Sequence, residues 1–90
     1  MKINPIIGKA KGIEWKIFDN EALVLNPRNV TFFKLNKTST FLWEAINDKR
    51  KRNAILKLMV KEFKISKARA EKDFDEFLNL LKKHGLIRFH

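Results

Sequence analysis

The sequence predicts an α+β domain in which a three-stranded antiparallel sheet is followed by a three-helix cluster. Two observations carry that expectation. Apolar residues recur with a period near two up to Leu35 and with a helical period after it. The change happens inside one short stretch, Val30 to Ile46, where a β-branched and aromatic run passes through Asn36-Lys37-Thr38-Ser39 into Thr40-Phe41-Leu42-Trp43-Glu44-Ala45-Ile46. Ninety residues are enough for one modest core and too few for two.

Residues 1–12 hold Pro5, Gly8 and Gly12 among scattered lysines and read as an N-terminal arm, with Ile6 and Ile7 able to clip onto the sheet. Residues 13–90 read as the domain proper. Ile13, Trp15 and Ile17 alternate with Glu14 and Lys16 as in a half-buried strand, and Asp19-Asn20 supplies a turn. Ala22 to Leu25 is apolar throughout, as a central strand would be, and Asn26-Pro27-Arg28-Asn29 makes a second turn. Val30 to Leu35 is the third strand. A meander of three places it at an edge, with one row of main-chain groups unpaired.

Asn36 is the expected N-cap of a helix over about 37–47. Asn53 is the expected cap of a second helix, which runs through Phe63 on a stripe of Ile55, Leu56, Met59, Val60 and Phe63. Ser66 caps a third, ending at His84 because Gly85 takes the C′ position; Leu86 fits a Schellman contact and Leu86-Ile87 a short strand or wing beside the sheet. Phe33, Leu35, Leu42, Trp43 and Ile46 are placed to join sheet and helices.

Composition limits function. The chain has no cysteine, which removes disulfides and thiolate chemistry, and it carries no apolar run of membrane-spanning length, so a cytoplasmic protein without membrane attachment is expected. Its histidines are His84, before a helix-ending glycine, and His90 at the end. Asp73, Asp75 and Glu76 lie along one helix among lysines, as a solvated face does, and no glycine-rich phosphate loop occurs. No catalytic residue, metal site or cofactor is expected.

The charge is +10, of which residues 1–47 carry +3 (7 basic, 4 acidic) and residues 48–90 carry +7 (13 basic, 6 acidic). The run Lys49-Arg50-Lys51-Arg52 invites a winged-helix DNA-binding transcriptional regulator as an alternative, but Glu71, Asp73, Asp75 and Glu76 on the would-be recognition helix oppose phosphate, so specific nucleic-acid binding is not expected. On that helix Ala70, Phe74, Phe77 and Leu81 share one stripe while Leu80 lies well round from it. Asp73, Phe77, Leu80 and His84 form a second flank, which is either covered by the sheet or lines a groove.

Leu35-Asn36 followed by Thr38-Ser39, Leu42-Trp43 and Ile46 resembles the strand-to-helix junction of the PqqD-like family, small proteins of pyrroloquinoline-quinone biosynthesis. Ile55 to Phe63, then Asp73-Phe74, Phe77-Leu78, Leu81 and Gly85-Leu86-Ile87 are similar to its second and third helices and their stop, so the resemblance covers residues 13–89. Asn53 stands where the family tends to have threonine, and the loop at 48–52 lacks its usual glycine. The resemblance implies a winged helix-turn-helix-like module that recognises the leader of a ribosomally synthesised precursor peptide and presents it to a modifying enzyme, often a radical S-adenosylmethionine protein. The leader would add as a strand to the third strand and lie beside the third helix. On this reading the site is Val30, Thr31, Phe32, Phe33, Lys34, Asp73, Phe77, Leu80, Leu81 and His84. The main chain of Thr31, Phe32 and Phe33 would pair with the peptide, Phe32, Phe77 and Leu80 would take apolar side chains, and Lys34 would meet a carboxylate. Either Phe32 or Phe33 faces the cleft, because a one-residue register change exchanges them. A homodimer through the same open edge is a further expectation.

Overall fold

The computed structural model describes residues 4–90. The elements in chain order are β1 (Ile7–Lys9), β2 (Glu14–Phe18), β3 (Glu21–Asn26), β4 (Thr31–Leu35), α1 (Lys37–Ala45), α2 (Arg52–Phe63), α3 (Lys67–Lys83) and β5 (Ile87–Phe89). Strands β2, β3 and β4 form an antiparallel sheet in that order, followed by the three helices, so the α+β expectation holds. Asp19 and Asn20 have φ of 53° and 62° and pair Phe18 with Glu21 across a two-residue loop. That is the primed turn whose twist suits a hairpin, and Asp and Asn tolerate it best after glycine.

Alternation gives the sheet two faces. Trp15, Ile17, Ala22, Val24, Phe33 and Leu35 look toward the helices, and Ala22, Val24 and Leu35 are buried with Leu42, Trp43, Ile46, Ile55, Met59, Phe74 and Leu81. The joining role expected of Leu35, Leu42, Trp43 and Ile46 is therefore what the core shows. Trp15 and Ile17 have the predicted orientation but remain 47% and 40% exposed, since β2 is an edge strand beyond the cover of α1. The Trp15 ring stands edge-on to Trp43 at 5.9 Å, and the Lys9 ammonium lies 4.9 Å from both ring centres.

Local caps explain the helix limits. The Asn36 side chain accepts from the Ser39 amide at 2.8 Å, and Ser66 Oγ accepts from the Arg69 amide at 3.1 Å. At the end of α3 the Leu86 amide donates to the Leu81 carbonyl at 2.9 Å and Gly85, at φ 69°, to the Lys82 carbonyl at 3.2 Å, which is the Schellman pattern the sequence predicts. Asn53 is not the cap of α2. The helix begins two residues earlier than expected, at Arg52 with Lys51 in the cap position, and its free amides are met from afar: Arg52 donates to the Pro5 carbonyl at 2.9 Å and Asn53 to Asn4 Oδ1 at 2.9 Å.

The N-terminal segment is thus bound to the helical half. Ile7 is fully buried, and β1 pairs antiparallel with β5 (Ile7↔Phe89, Gly8↔Arg88, Lys9↔Ile87), which makes a second, separate sheet. Ile6 and Ile7 do not clip onto the main sheet as expected: Ile6 bridges to Lys51, and the strand that starts at Ile7 pairs with the short strand after Leu86. Two strands of three residues each, far apart in sequence, carry no local pattern that would announce the pairing.

Candidate functional site

Strand β4 is one edge of the sheet, and its register decides which groups are free. Thr31, Phe33 and Leu35 lie opposite Asn26, Val24 and Ala22. The tight β2–β3 turn makes Phe18 and Glu21 a hydrogen-bonded pair, so Glu21, Leu23 and Leu25 bond to β2 while Ala22, Val24 and Asn26 turn to β4. The outward main-chain groups of β4 are then those of Phe32 and Lys34. Thr31 and Phe33, two of the three residues expected to offer their main chain, point theirs inward; the Thr31 amide also donates to Asn29 Oδ1 at 3.1 Å.

The same alternation puts the two phenylalanines on opposite faces of the sheet. Phe33 faces the helices and its ring meets that of His84 at 4.6 Å between centres. Phe32 projects from the opposite face, 63% exposed beside Leu25, and Lys34 shares that face, 3.6 Å from Glu21. Val30 lies outside the strand, 81% exposed at φ 53°, a costly conformation for a β-branched side chain.

On α3 the flank separates by depth. Phe77 is almost buried and Leu81 fully so, both within the core, whereas Leu80 is 42% exposed one turn before His84 on the same side. Asp73 lies further back and is paired with Arg69 at 3.2 Å. Of the ten sequence-predicted residues, Phe33 and His84 touch, Leu80 and Phe77 continue their line along the helix, and the Phe32 and Lys34 main chain borders it. The side chains of Phe32 and Lys34 are on the opposite face of the sheet, and Val30 lies before the strand.

Two asparagines that sequence reasoning treated as turn residues position this site. Asn26 is 3% exposed, and its Nδ2 donates to the His84 carbonyl at 3.0 Å while its Oδ1 accepts from the Arg28 amide at 3.1 Å. Asn29 Nδ2 adds a longer contact to the same carbonyl, 3.4 Å. The hairpin thus supplies the C-terminal end of α3 with donors, which fixes the helix beside the edge strand. Asn26 at the end of an apolar strand is the signal that could have announced it. A separate groove of about 390 Å³, between α2 and the start of α3, is lined by Leu56, Lys57, Val60 and Lys67 among others and does not involve the edge. Among the described residues no group of acidic, histidine or cysteine side chains could hold a metal ion, and no helix is long and apolar enough to cross a membrane.

Residues 21–87 match the family described as Coenzyme PQQ synthesis protein D (PqqD). Two solved structures share the fold. One, "TbiB1 in Complex with the TbiA(beta) Leader Peptide", is 20% identical, covers 88% of this chain and 93% of its own, and gives a TM-score of 0.80. The other, "Lasso peptide synthetase B1 complexed with the leader peptide", is 18% identical with coverage of 92% and 98% and a TM-score of 0.81. No curated protein sequence matches.

Proposed function

The chain belongs to the PqqD family, and from that premise we propose that it is a non-catalytic recognition element for the leader segment of a ribosomally synthesised precursor peptide. The observation that carries the proposal is the open edge of β4 beside the exposed Leu80–His84 side of α3. An extended peptide added there takes main-chain bonds from Phe32 and Lys34 and lays alternate side chains on Phe33, Leu80 and His84. Both structural neighbours are complexes with leader peptides, which supports the assignment. The recipient of the peptide is a modifying enzyme, in this family often a radical S-adenosylmethionine protein, and the exchange takes place in the cytoplasm. The net charge of +10 favours encounter with an acidic leader.

The test uses synthetic peptides made to any short open reading frame found beside the gene. Calorimetry should show binding to the intact chain. Leu80→Ala should weaken it by roughly 1–2 kcal/mol with the melting temperature nearly unchanged, as for a leucine that is half exposed until the ligand covers it. Phe32→Pro removes an outward amide and no internal bond, so it should abolish binding while the fold survives. Leader affinity indifferent to both changes would remove β4 as the site.

A further inference from the structure

The sheet has a second open edge. All five residues of β2 are exposed, and among the described residues no strand pairs with its outer side. Since Glu14, Lys16 and Phe18 exchange bonds with β3, the main-chain groups of Trp15 and Ile17 face outward, flanked by their own half-exposed side chains. Soluble proteins blunt such edges with like charges, proline or a bulge. This edge instead carries one charge of each sign, Glu14 and Lys16, on either side of a tryptophan.

We propose that β2 is a self-pairing edge, joining two copies of this chain antiparallel about a two-fold axis at Trp15. Outward groups can meet outward groups only if odd-numbered residues face odd-numbered residues. The register centred on Trp15 then sets Glu14 of each copy opposite Lys16 of the other, in non-hydrogen-bonded pairs where side chains lie closest. It also brings Ile17 of each copy opposite Ile13. The register one step along sets Lys16 against Lys16 and leaves Glu14 facing Phe18, so charge selects the first. The dimer has a continuous six-stranded sheet with the two β4 edges at its far ends. It therefore differs from a dimer through β4 in leaving both peptide edges open. Most of the opposing positive charge, +7 of +10, belongs to residues 48–90 rather than to the half that holds β2.

Five residues a side make a small interface, so a dissociation constant in the micromolar range is expected, roughly 10–100 µM. Sedimentation equilibrium at 150 mM salt measures it. Glu14→Lys and Lys16→Glu, both at exposed positions, should each weaken self-association by roughly tenfold by setting like charges opposite one another. An equimolar mixture of the two variants should dimerise again, because each lysine then faces a glutamate in the other chain. A wild-type chain that stays monomeric at several hundred micromolar would overturn the proposal, and so would variants that dimerise like the wild type or a mixture that remains monomeric.

Discussion

Asp48 gathers three segments. Its carboxylate lies 2.8 Å from His90 Nε2 and accepts from Arg88 Nη2 at 3.1 Å, while its own amide donates to the Ile7 carbonyl at 3.1 Å. Its φ of 65° is a left-handed conformation that glycine adopts more readily than aspartate. The hydrogen bond with the His90 imidazole is the largest effect and holds the carboxyl below its ordinary value; desolvation opposes it, and the Arg88 guanidinium adds to the lowering. A depressed folded value means that this stabilisation is fully present above the unfolded value, about 3.9, and is lost as pH falls through the folded one. Thermal melts of Asp48→Asn should therefore show a shallower loss of stability than the wild type on acidification below about pH 4. Gly8 depends on the same carboxylate, since a Cβ there would lie 1.7 Å from Asp48 Oδ1. Gly8→Ala must displace it and should cost about 1–3 kcal/mol in denaturant titrations. In an Asp48→Ala background the cost should largely vanish, and an unchanged cost would mean that the carboxylate is not what limits the site.

Between elements, single polar side chains do the joining. Thr40 of α1 is 2% exposed; its hydroxyl accepts the Ala22 amide at 2.8 Å and donates to the Leu35 carbonyl at 3.3 Å, so it completes the β3–β4 ladder where the strands part. Thr40→Val keeps the volume and leaves that buried amide unpaired, which should cost about 1–3 kcal/mol and speed hydrogen exchange at Ala22. Thr40→Ser should recover most of the loss. Asn26 does for α3 what Thr40 does for α1. Asn26→Ala should cost about 1–2 kcal/mol of stability and also weaken leader binding, because it frees the His84 end of the helix from the hairpin. A fully stable variant with intact affinity would show that the β4–α3 geometry is held elsewhere.

For the molecule as a whole, the connectivity of the basic run argues against a specific nucleic-acid role. Two of the four basic residues in the 49–52 run are engaged by other groups of the chain, Arg52 with Asp75 at 2.8 Å and Arg50 with the Ala45 carbonyl at 3.3 Å. The loop they occupy is tied to the N-terminal segment through Ile7 to Arg50 and Arg52 to Pro5. Binding to random duplex should accordingly be weak and should fall steeply with salt, as counterion release alone requires. Fluorescence anisotropy between 50 and 200 mM salt measures this, and a specific site persisting at about 150 mM would restore the regulator reading.

The elements and their ends could be read from the chain because the interactions that set them are local. Alternation from Ile13 to Leu35, the helical stripes beyond, and the caps at Asn36, Ser66 and Gly85 each act within a few residues. The family resemblance likewise rests on side chains at fixed short spacings, and the match over residues 21–87 agrees with it. Long-range geometry had to decide the rest. The pairing of β1 with β5, the Asn4 side chain and Pro5 carbonyl that serve the start of α2, and the burial of Asn26 all join residues dozens of positions apart, where periodicity carries no information. The orientation of Phe32 and Phe33 belongs with these. Both are apolar, so only the register against Val24 and Leu25 and the contact with His84 assign one to the helices and the other to the open face.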